Sequence, residues 1–404
     1  MSNRQHRLRD LWHPPRALRD RPDERRVTYL ELFYDLVFVV LIARVAHGLS
    51  AHMNLAALGE SCLLFIVVWW AWLNGSLYHE NHGSDDFRAR ILTFLQMFAV
   101  VAMAVFAHDP LHHGFVGFSL SYAAYLLILT YLWWRTGVHD PDHRPLSRPY
   151  SSAMLASAAF FGASVLVPAS WRLGLWGIGM LISLLLPMLL MSLHQTRAEV
   201  QAQIELSPEV TPSLAERMGL FTIIVLGEVI AGVIGGVSAH HHLDWTIFGV
   251  AAMGSCIAMG LWWIYFDSVA GLAPARGPRG ITSWFYLHLL LTMGIAGTGA
   301  SVAHVTTHAV GHVGADARWI LVGMVAMTLL AIGGLVRIVQ HSTDFRRIHY
   351  IAGRTMLLGA VPVLAVGFFD IGVLPLLAIL AFLVLSPILL AVLWWLRQAP
   401  VSSD

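Results

Sequence analysis

Long apolar runs with almost no charge inside them recur from residue 33 to residue 397, and nothing else limits this fold so tightly. A helical run of about 20 apolar residues matches the hydrocarbon core of a bilayer. Spans are expected at 33–49, 55–78, 89–107, 114–134, 150–168 and 171–193, then at 216–236, 244–269, 284–305, 317–340, 353–370 and 374–397. Twelve such helices explain a chain that is 57% hydrophobic and 12% charged, where a soluble domain is about a quarter charged. The same balance excludes an ordinary soluble enzyme, a disordered chain and a nucleic-acid binder. Cys62 and Cys256 both lie inside apolar runs, which argues against a disulfide framework.

Arginine sets the orientation. All 25 basic residues are Arg, and eight of them fall in the first 26 residues. That segment has no short apolar core behind a basic head, so it reads as a polar N-terminal segment and not as a cleaved signal peptide. With twelve spans and a cytoplasmic N-terminus, the inside segments hold 22 Arg and the outside loops hold two, Arg172 and Arg318, with Arg44 inside the first span. Positive charge favours the cytoplasmic side, so both termini are expected there, in the cytoplasmic (inner) membrane of a bacterium. The organisation is then an Arg-rich segment (1–26), a first six-helix repeat (27–193), a cytoplasmic linker (194–215), a second six-helix repeat (216–397) and a tail (398–404).

The two halves are related. Trp69-Trp70-Ala71-Trp72 matches Trp262-Trp263-Ile264-Tyr265, Cys62 matches Cys256, and Gln96 lies near the counterpart of His288. Tyr150 and Tyr350 open corresponding spans, Pro187 and Pro387 interrupt corresponding spans, and Glu31 and Glu216 each open their half. Six is even, so the repeats are parallel, about an axis along the membrane normal. The expected fold is all-α and integral to the membrane, with about twelve helices in two parallel six-helix repeats.

Tyr29-Leu30-Glu31-Leu32-Phe33-Tyr34-Asp35-Leu36-Val37-Phe38-Val39 resembles the opening signature of the bacterial low temperature requirement A family. So does Ala215-Glu216-Arg217-Met218-Gly219-Leu220-Phe221-Thr222-Ile223-Ile224-Val225-Leu226-Gly227-Glu228, and the likeness extends through the paired Trp, Asn81 and Asp267. The resemblance implies a multi-pass bacterial membrane protein; the family name records a growth phenotype and supplies no molecular activity. Phe33 to Phe38 is also similar to the Phe-Ser-Asp signature that opens the pore helix of a family of lysosomal and bacterial potassium channels with six-span repeats. Here Tyr34 replaces the serine, and the second half has no Phe-x-Asp.

Charges inside spans are costly and need a partner or a use. Glu31 and Asp35 share a helical face at the mouth of span one. They read either as an interfacial pair, favoured by the helix dipole or by Arg25 or Arg26, or as a cation- or proton-accepting entrance. Arg44 lies deeper, His47 follows three residues on, and Glu228 lies in mid-span of the second half. Arg44 and Glu228 occupy near-equivalent repeat positions, so a pair across the repeat axis is expected, structural or functional. Gly227-Ala231-Gly235 and Glu228-Gly232-Gly236 are small-residue stripes that admit a close helix. His288 is a hydrogen-bonding core residue or a proton relay. Asp267 ends span eight at the interface. His304, His308 and His312 recur every four residues and could chelate a metal on a continuous helix; solvated loop histidines are the other reading. The Trp doublets read as interfacial anchors.

Three functions fit. A secondary transporter or channel for an ion or small solute is favoured, with Glu31, Asp35, Arg44, His47, Glu216, Glu228, Asp267 and His288 on its pathway. An integral-membrane enzyme on a lipid or lipid-linked substrate is the alternative, using Glu31, Asp35, Asn81, Asp85 and Asp267. A non-catalytic cold-adaptation factor is the third. No nucleotide or hydrolase motif appears, and no cofactor is expected. The partners are the bilayer and a small ion or solute, and a homodimer stays open.

Overall fold

The computed structural model describes residues 14–16 and 25–398, apart from residues 85, 108, 195–209, 241, 243, 275–276, 308–311 and 341–345. The described chain is helical, with twelve α-helices. The first six are α1 (Tyr29–Ala51), α2 (Leu55–His82), α3 (Phe87–Phe106), α4 (Phe115–His139), α5 (Arg144–Ala163) and α6 (Ala169–His194), with a 3₁₀ turn at Ser164–Leu166. The others are α7 (Pro212–Ser238), α8 (Trp245–Ser268), α9 (Pro278–Thr307), α10 (Ala315–Ile338), α11 (Arg346–Val366) and α12 (Val373–Gln398). Eleven are long and apolar enough to cross a membrane; the apolar stretch of α11, Ile351–Val366, is shorter.

The helix starts are written in local chemistry. Asn54 accepts from the Ala57 N–H (2.9 Å) at the head of α2, Asp86 from Ala89 (2.7 Å) at α3, and Asp244 from Ile247 (2.8 Å) at α8. Each satisfies an N–H that the helix itself leaves orphaned. Thr211 caps α7 through the Leu214 N–H (3.1 Å), with Pro212 in the first turn. That cap starts α7 four residues before its apolar run, which opens at Glu216. Helices α5 and α9 likewise begin at Arg144 and Pro278, ahead of runs at 150 and 284. Hydropathy marks the hydrocarbon portion, while first turns bearing Arg144, Arg148 or Arg279 extend beyond it, as long basic side chains permit. One expectation is corrected. Pro187 and Pro387 do not interrupt their helices, because α6 and α12 continue through both. A proline removes one backbone bond, and within a span that loss is tolerated without ending the helix.

The chain forms two compact units. The first comprises residues 1–44 and 66–208, the second residues 45–65 and 209–404. In the first, α3 packs on α4, α4 on α5 and α5 on α6. Its core is aromatic: Tyr34, Phe38, Trp69, Trp72, Phe118, Tyr122, Tyr125 and Trp176 are fully buried. In the second, α9 packs on α7 and α10, α10 on α11, and α8 on α12. The approach of α9 to α7 is made by one of the two small-residue stripes. A Cβ built on Gly232 would lie 2.6 Å from the Gly299 carbonyl oxygen, and one on Gly236 would lie 2.5 Å from Thr306, whereas Gly227 and Gly235 face open space. The Glu228 stripe is therefore a packing face, and its neighbour is not.

Both units turn large apolar side chains outward. Phe98 is 71% exposed, Phe248 66% and Leu358 69%. Such surfaces are stable against lipid and unstable against water.

Candidate functional site

The first unit is apolar outside and polar within. Its polar core begins where the N-terminal segment meets α1. Thr28 and Glu31 cap that helix reciprocally: Thr28 N–H donates to Glu31 Oε2 (2.9 Å) and Glu31 N–H to Thr28 Oγ1 (3.3 Å). The other Glu31 oxygen takes the Arg25 guanidinium, which also donates to Glu80 Oε2 on α2. Both carboxylates are almost wholly buried. Arg16 Nη2 donates to the Glu80 carbonyl (2.8 Å), so the N-terminal segment is tied to the end of α2 at two places.

Deeper along α1, Asp35 is fully buried and accepts the Trp72 indole N–H at 2.7 Å. Beside it Tyr125 donates to the Ala71 carbonyl (2.8 Å), which leaves the Tyr34 hydroxyl to donate to Tyr125 (2.5 Å). His79 donates from Nδ1 to the Gly75 carbonyl (2.8 Å), so its proton on that nitrogen is fixed. His79 Nε2 lies 3.1 Å from the Thr93 hydroxyl, which is also 2.9 Å from the Ala89 carbonyl. Thr93 has one proton for two acceptors. A neutral His79 takes that proton; a protonated His79 donates its own and turns Thr93 toward Ala89.

The His79–Thr93 contact fixes the register of antiparallel α2 and α3. Ser76 lies three residues before His79 on α2, and Gln96 three residues after Thr93 on α3. Gln96 is the tenth of the twenty residues of α3 and is fully buried. Neither atom of its amide has a hydrogen-bond partner, and the buried Ser76 hydroxyl and Trp69 indole N–H have none either. Buried polar groups are almost always paired, so the bare Gln96 amide is a place where something polar belongs.

The other residues singled out from sequence are placed as follows. In the first unit Arg44 is half-buried. In the second, His47 is exposed and Glu228 is half-buried beside the α9 packing face. Glu216 is exposed, and its neighbour Arg217 is buried instead. Asp267 is exposed and takes the Trp263 indole N–H at 2.7 Å. His288 is buried and fully used: Nδ1 donates to the Trp284 carbonyl (2.8 Å), and Nε2 accepts from Tyr265 (3.2 Å).

The histidine trio does not share one helix. Helix α9 ends at Thr307, after His304, while His312 forms an isolated bridge with Gly372 and lies 3.5 Å from Asp370. His304 Nδ1 instead donates to the Ser50 carbonyl (2.8 Å). His308 and Asp85 lie outside the described residues. Among the described residues no three His, Cys, Asp or Glu side chains are grouped as a metal ligand set. A small cavity of about 20 Å³ in the second unit, lined by Leu49, Leu58, Cys62, Phe65, Met293 and Met324, is almost purely apolar and suits no charged solute.

Sequence reading missed Glu80, His79, Gln96 and Trp72 as core groups. Trp69 and Trp72 are buried, not interfacial anchors, because α2 lies inside the unit and Asp35 takes the Trp72 N–H. His82 and His143 were also missed. Both are buried at the arginine-rich end, with ring centroids 4.5 Å apart.

Burial pushes the His143 imidazole down to about 4, whereas an unfolded histidine titrates near 6.5. Between these values the unfolded chain holds more protons, so stability falls as pH drops from about 6.5 to about 4 and levels off below. The full contribution is present above 6.5. The shift is worth about 3 kcal/mol at most. In chelator-treated protein, wild type should lose up to that much stability relative to His143→Gln across this window, read from thermal midpoints. A wild-type-minus-variant difference that ignores pH would contradict it.

A greasy exterior, eleven membrane-length helices among the described residues and a buried polar interior define a polytopic α-helical membrane protein. Residues 26–393 match the family described as bacterial low temperature requirement A protein (LtrA), and the chain belongs to that family. It is also similar to the uncharacterized protein RA0937 of Rhizobium meliloti (strain 1021), at 22% identity over 251 residues. That match covers 61% of this chain and 60% of the relative, so the chain spans less than two thirds of that relative's length.

Proposed function

We propose that the protein is a secondary transporter or channel for an ion or small solute in the bacterial cytoplasmic membrane. In this reading both termini are cytoplasmic, and the helices form two parallel six-helix repeats with the arginine-rich ends inside. The observation that carries the proposal is the polar core of the first unit. Asp35, Ser76, His79, Thr93 and Gln96 are buried within membrane-length helices, and the Gln96 amide has no partner. Polar groups at such depth cost several kcal/mol unless a ligand or water meets them.

Glu31 and Glu80 with Arg25 form the mouth of the proposed pathway, and Asp35 is its deep acidic group. The shared Thr93 proton lets His79 change protonation without losing a hydrogen bond, which suits coupling to protons. In the second unit, Glu228 is a half-buried acidic group within a membrane-length helix and is proposed as a functional group of that unit.

The test is flux in proteoliposomes under imposed gradients of protons, alkali cations and small anions. Wild type should carry at least one of them. Asp35→Asn and Glu228→Gln should each lower that flux by at least about tenfold, the effect of about 1.4 kcal/mol on the barrier. Asp316→Asn, at an exposed position in the first turn of α10, should leave it intact. Folded wild-type protein that carries none of these species, or flux indifferent to Asp35 and Glu228, would overturn the proposal.

A further inference from the structure

We infer that His82 and His143 form a binding site for one divalent transition-metal ion at the arginine-rich end of the first unit. The inference stands apart from the transport reading and uses none of its residues.

His82 is the last residue of α2, and His143 immediately precedes α5. Their rings meet edge to face with centroids 4.5 Å apart. Trp133 closes over both, at 5.6 Å from His82 and stacked 5.9 Å from His143. Each histidine is 1% exposed. His82 Nδ1 lies 2.9 Å from the Arg16 carbonyl oxygen. A carbonyl only accepts, so Nδ1 carries the hydrogen and Nε2 keeps a lone pair. That Nε2 and both ring nitrogens of His143 are buried with no hydrogen-bond partner. A neutral imidazole carries one lone pair, so one of the two on His143 holds it.

Two lone pairs on adjacent buried imidazoles therefore have no hydrogen-bond partner among the described residues. His143 occupies the N-cap position of α5 but makes no side-chain cap bond, so capping does not explain it. His82 shows the usual arrangement of a metal-binding histidine, with one nitrogen held by a backbone carbonyl and the other free to ligate. Two imidazoles bound to one ion at about 2.0–2.1 Å bring their ring centroids to roughly 5 Å, close to the spacing found. The buried Asp140 carboxylate acts electrostatically on His82 and offsets part of the ion's charge, while the Arg16 guanidinium opposes it but is turned to the Glu80 carbonyl. Imidazole ligands without thiolates favour Cu²⁺, Ni²⁺ and Zn²⁺ over Mg²⁺ and Ca²⁺.

The test uses tag-free, chelator-treated full-length protein in detergent, dialysed against Ni²⁺ or Zn²⁺ with excess Mg²⁺ present. One ion per chain should bind, and the ion should raise the thermal midpoint of wild type by mass action. His82→Ala and His143→Gln should each weaken binding by at least about tenfold, and His143→Gln should abolish the midpoint rise. His143→Gln leaves no cap bond to lose, so it keeps the test decisive if His82→Ala fails to fold. His304→Ala combined with His312→Ala should leave binding unchanged. Absence of bound ion in wild type, or binding that survives His143→Gln but is lost with His304 and His312, would overturn the site.

Discussion

Replacing Arg25 with alanine should cost the first unit about 3–5 kcal/mol, the usual effect of removing one partner from a buried ionic cluster. The guanidinium is bound to two carboxylates at once, Glu31 on α1 and Glu80 on α2, and all three side chains are at most 11% exposed. Glu31 keeps its bonds from Thr28, while Glu80 loses the guanidinium that Arg25 shares with it. Neutralising that carboxylate should return part of the loss. Arg25→Ala with Glu80→Gln should therefore be more stable than Arg25→Ala alone, although each single change destabilises. Arg25→Lys should recover less than half, because one ammonium cannot reproduce a planar fork serving two acceptors. Thermal midpoints in detergent, with monodispersity by size exclusion, check this. Additive losses would show that Arg25 serves the two carboxylates independently.

The cluster also shows what kind of information sequence carries. Glu31 and Asp35 were legible because a carboxylate in an apolar run is conspicuous, and their four-residue spacing places them on one face. Both are buried in the first unit. Their partners were less legible. Trp72 and Tyr125 count as apolar or as belt residues in any hydropathy pattern, yet here their polar atoms hold Asp35 and Tyr34. Gln96 was noticed only as the counterpart of His288. That His288 is satisfied and Gln96 is not depends on Tyr265 and Trp284 being placed around the former, which repeat spacing alone does not specify. Glu216 and Arg217 make the same point at one-residue resolution. Adjacent helical positions differ by about 100°, and the rotation of α7 buries the arginine and exposes the glutamate. Twelve helices follow from length and apolarity; which stripe of each helix faces inward follows from packing. The two glycine stripes of α7 look alike in sequence, and only the one through Gly232 and Gly236 meets α9.

Gly75→Ala should be nearly as damaging as loss of Arg25, for a steric reason. Gly75 on α2 faces the hydroxyls of Tyr34 and Tyr125, and an added methyl group would overlap the first and approach the second to 2.5 Å. Neither hydroxyl can withdraw without breaking the chain from Tyr34 through Tyr125 to the Ala71 carbonyl. The rings are wedged as well, Tyr34 against Phe38 at 5.0 Å and His79 at 5.2 Å, and Tyr125 against Phe38 at 5.8 Å. Overpacking a tight core costs about 1–3 kcal/mol, and orphaning a buried hydroxyl costs about 1–3 kcal/mol more. The better helix propensity of alanine returns only about 0.5–1 kcal/mol. A net loss of about 2–4 kcal/mol is expected, on the same balance of terms. Tyr34→Phe removes the oxygen that the methyl would strike. In that background the Tyr125 hydroxyl still lies 2.5 Å from the methyl, so Gly75→Ala should remain destabilising but cost less than in wild type, giving a coupling above about 1 kcal/mol in the double-mutant cycle. Because the Gly75 carbonyl also holds His79 Nδ1, a shift of this turn displaces the histidine that shares the Thr93 proton. Gly75→Ala should then depress any flux more than its stability loss alone explains, and Tyr34→Phe should restore part of the flux and of the stability together. Strict additivity in the cycle would mean that the tyrosine pair yields to the methyl group and that α2 is looser at this level than its contacts imply.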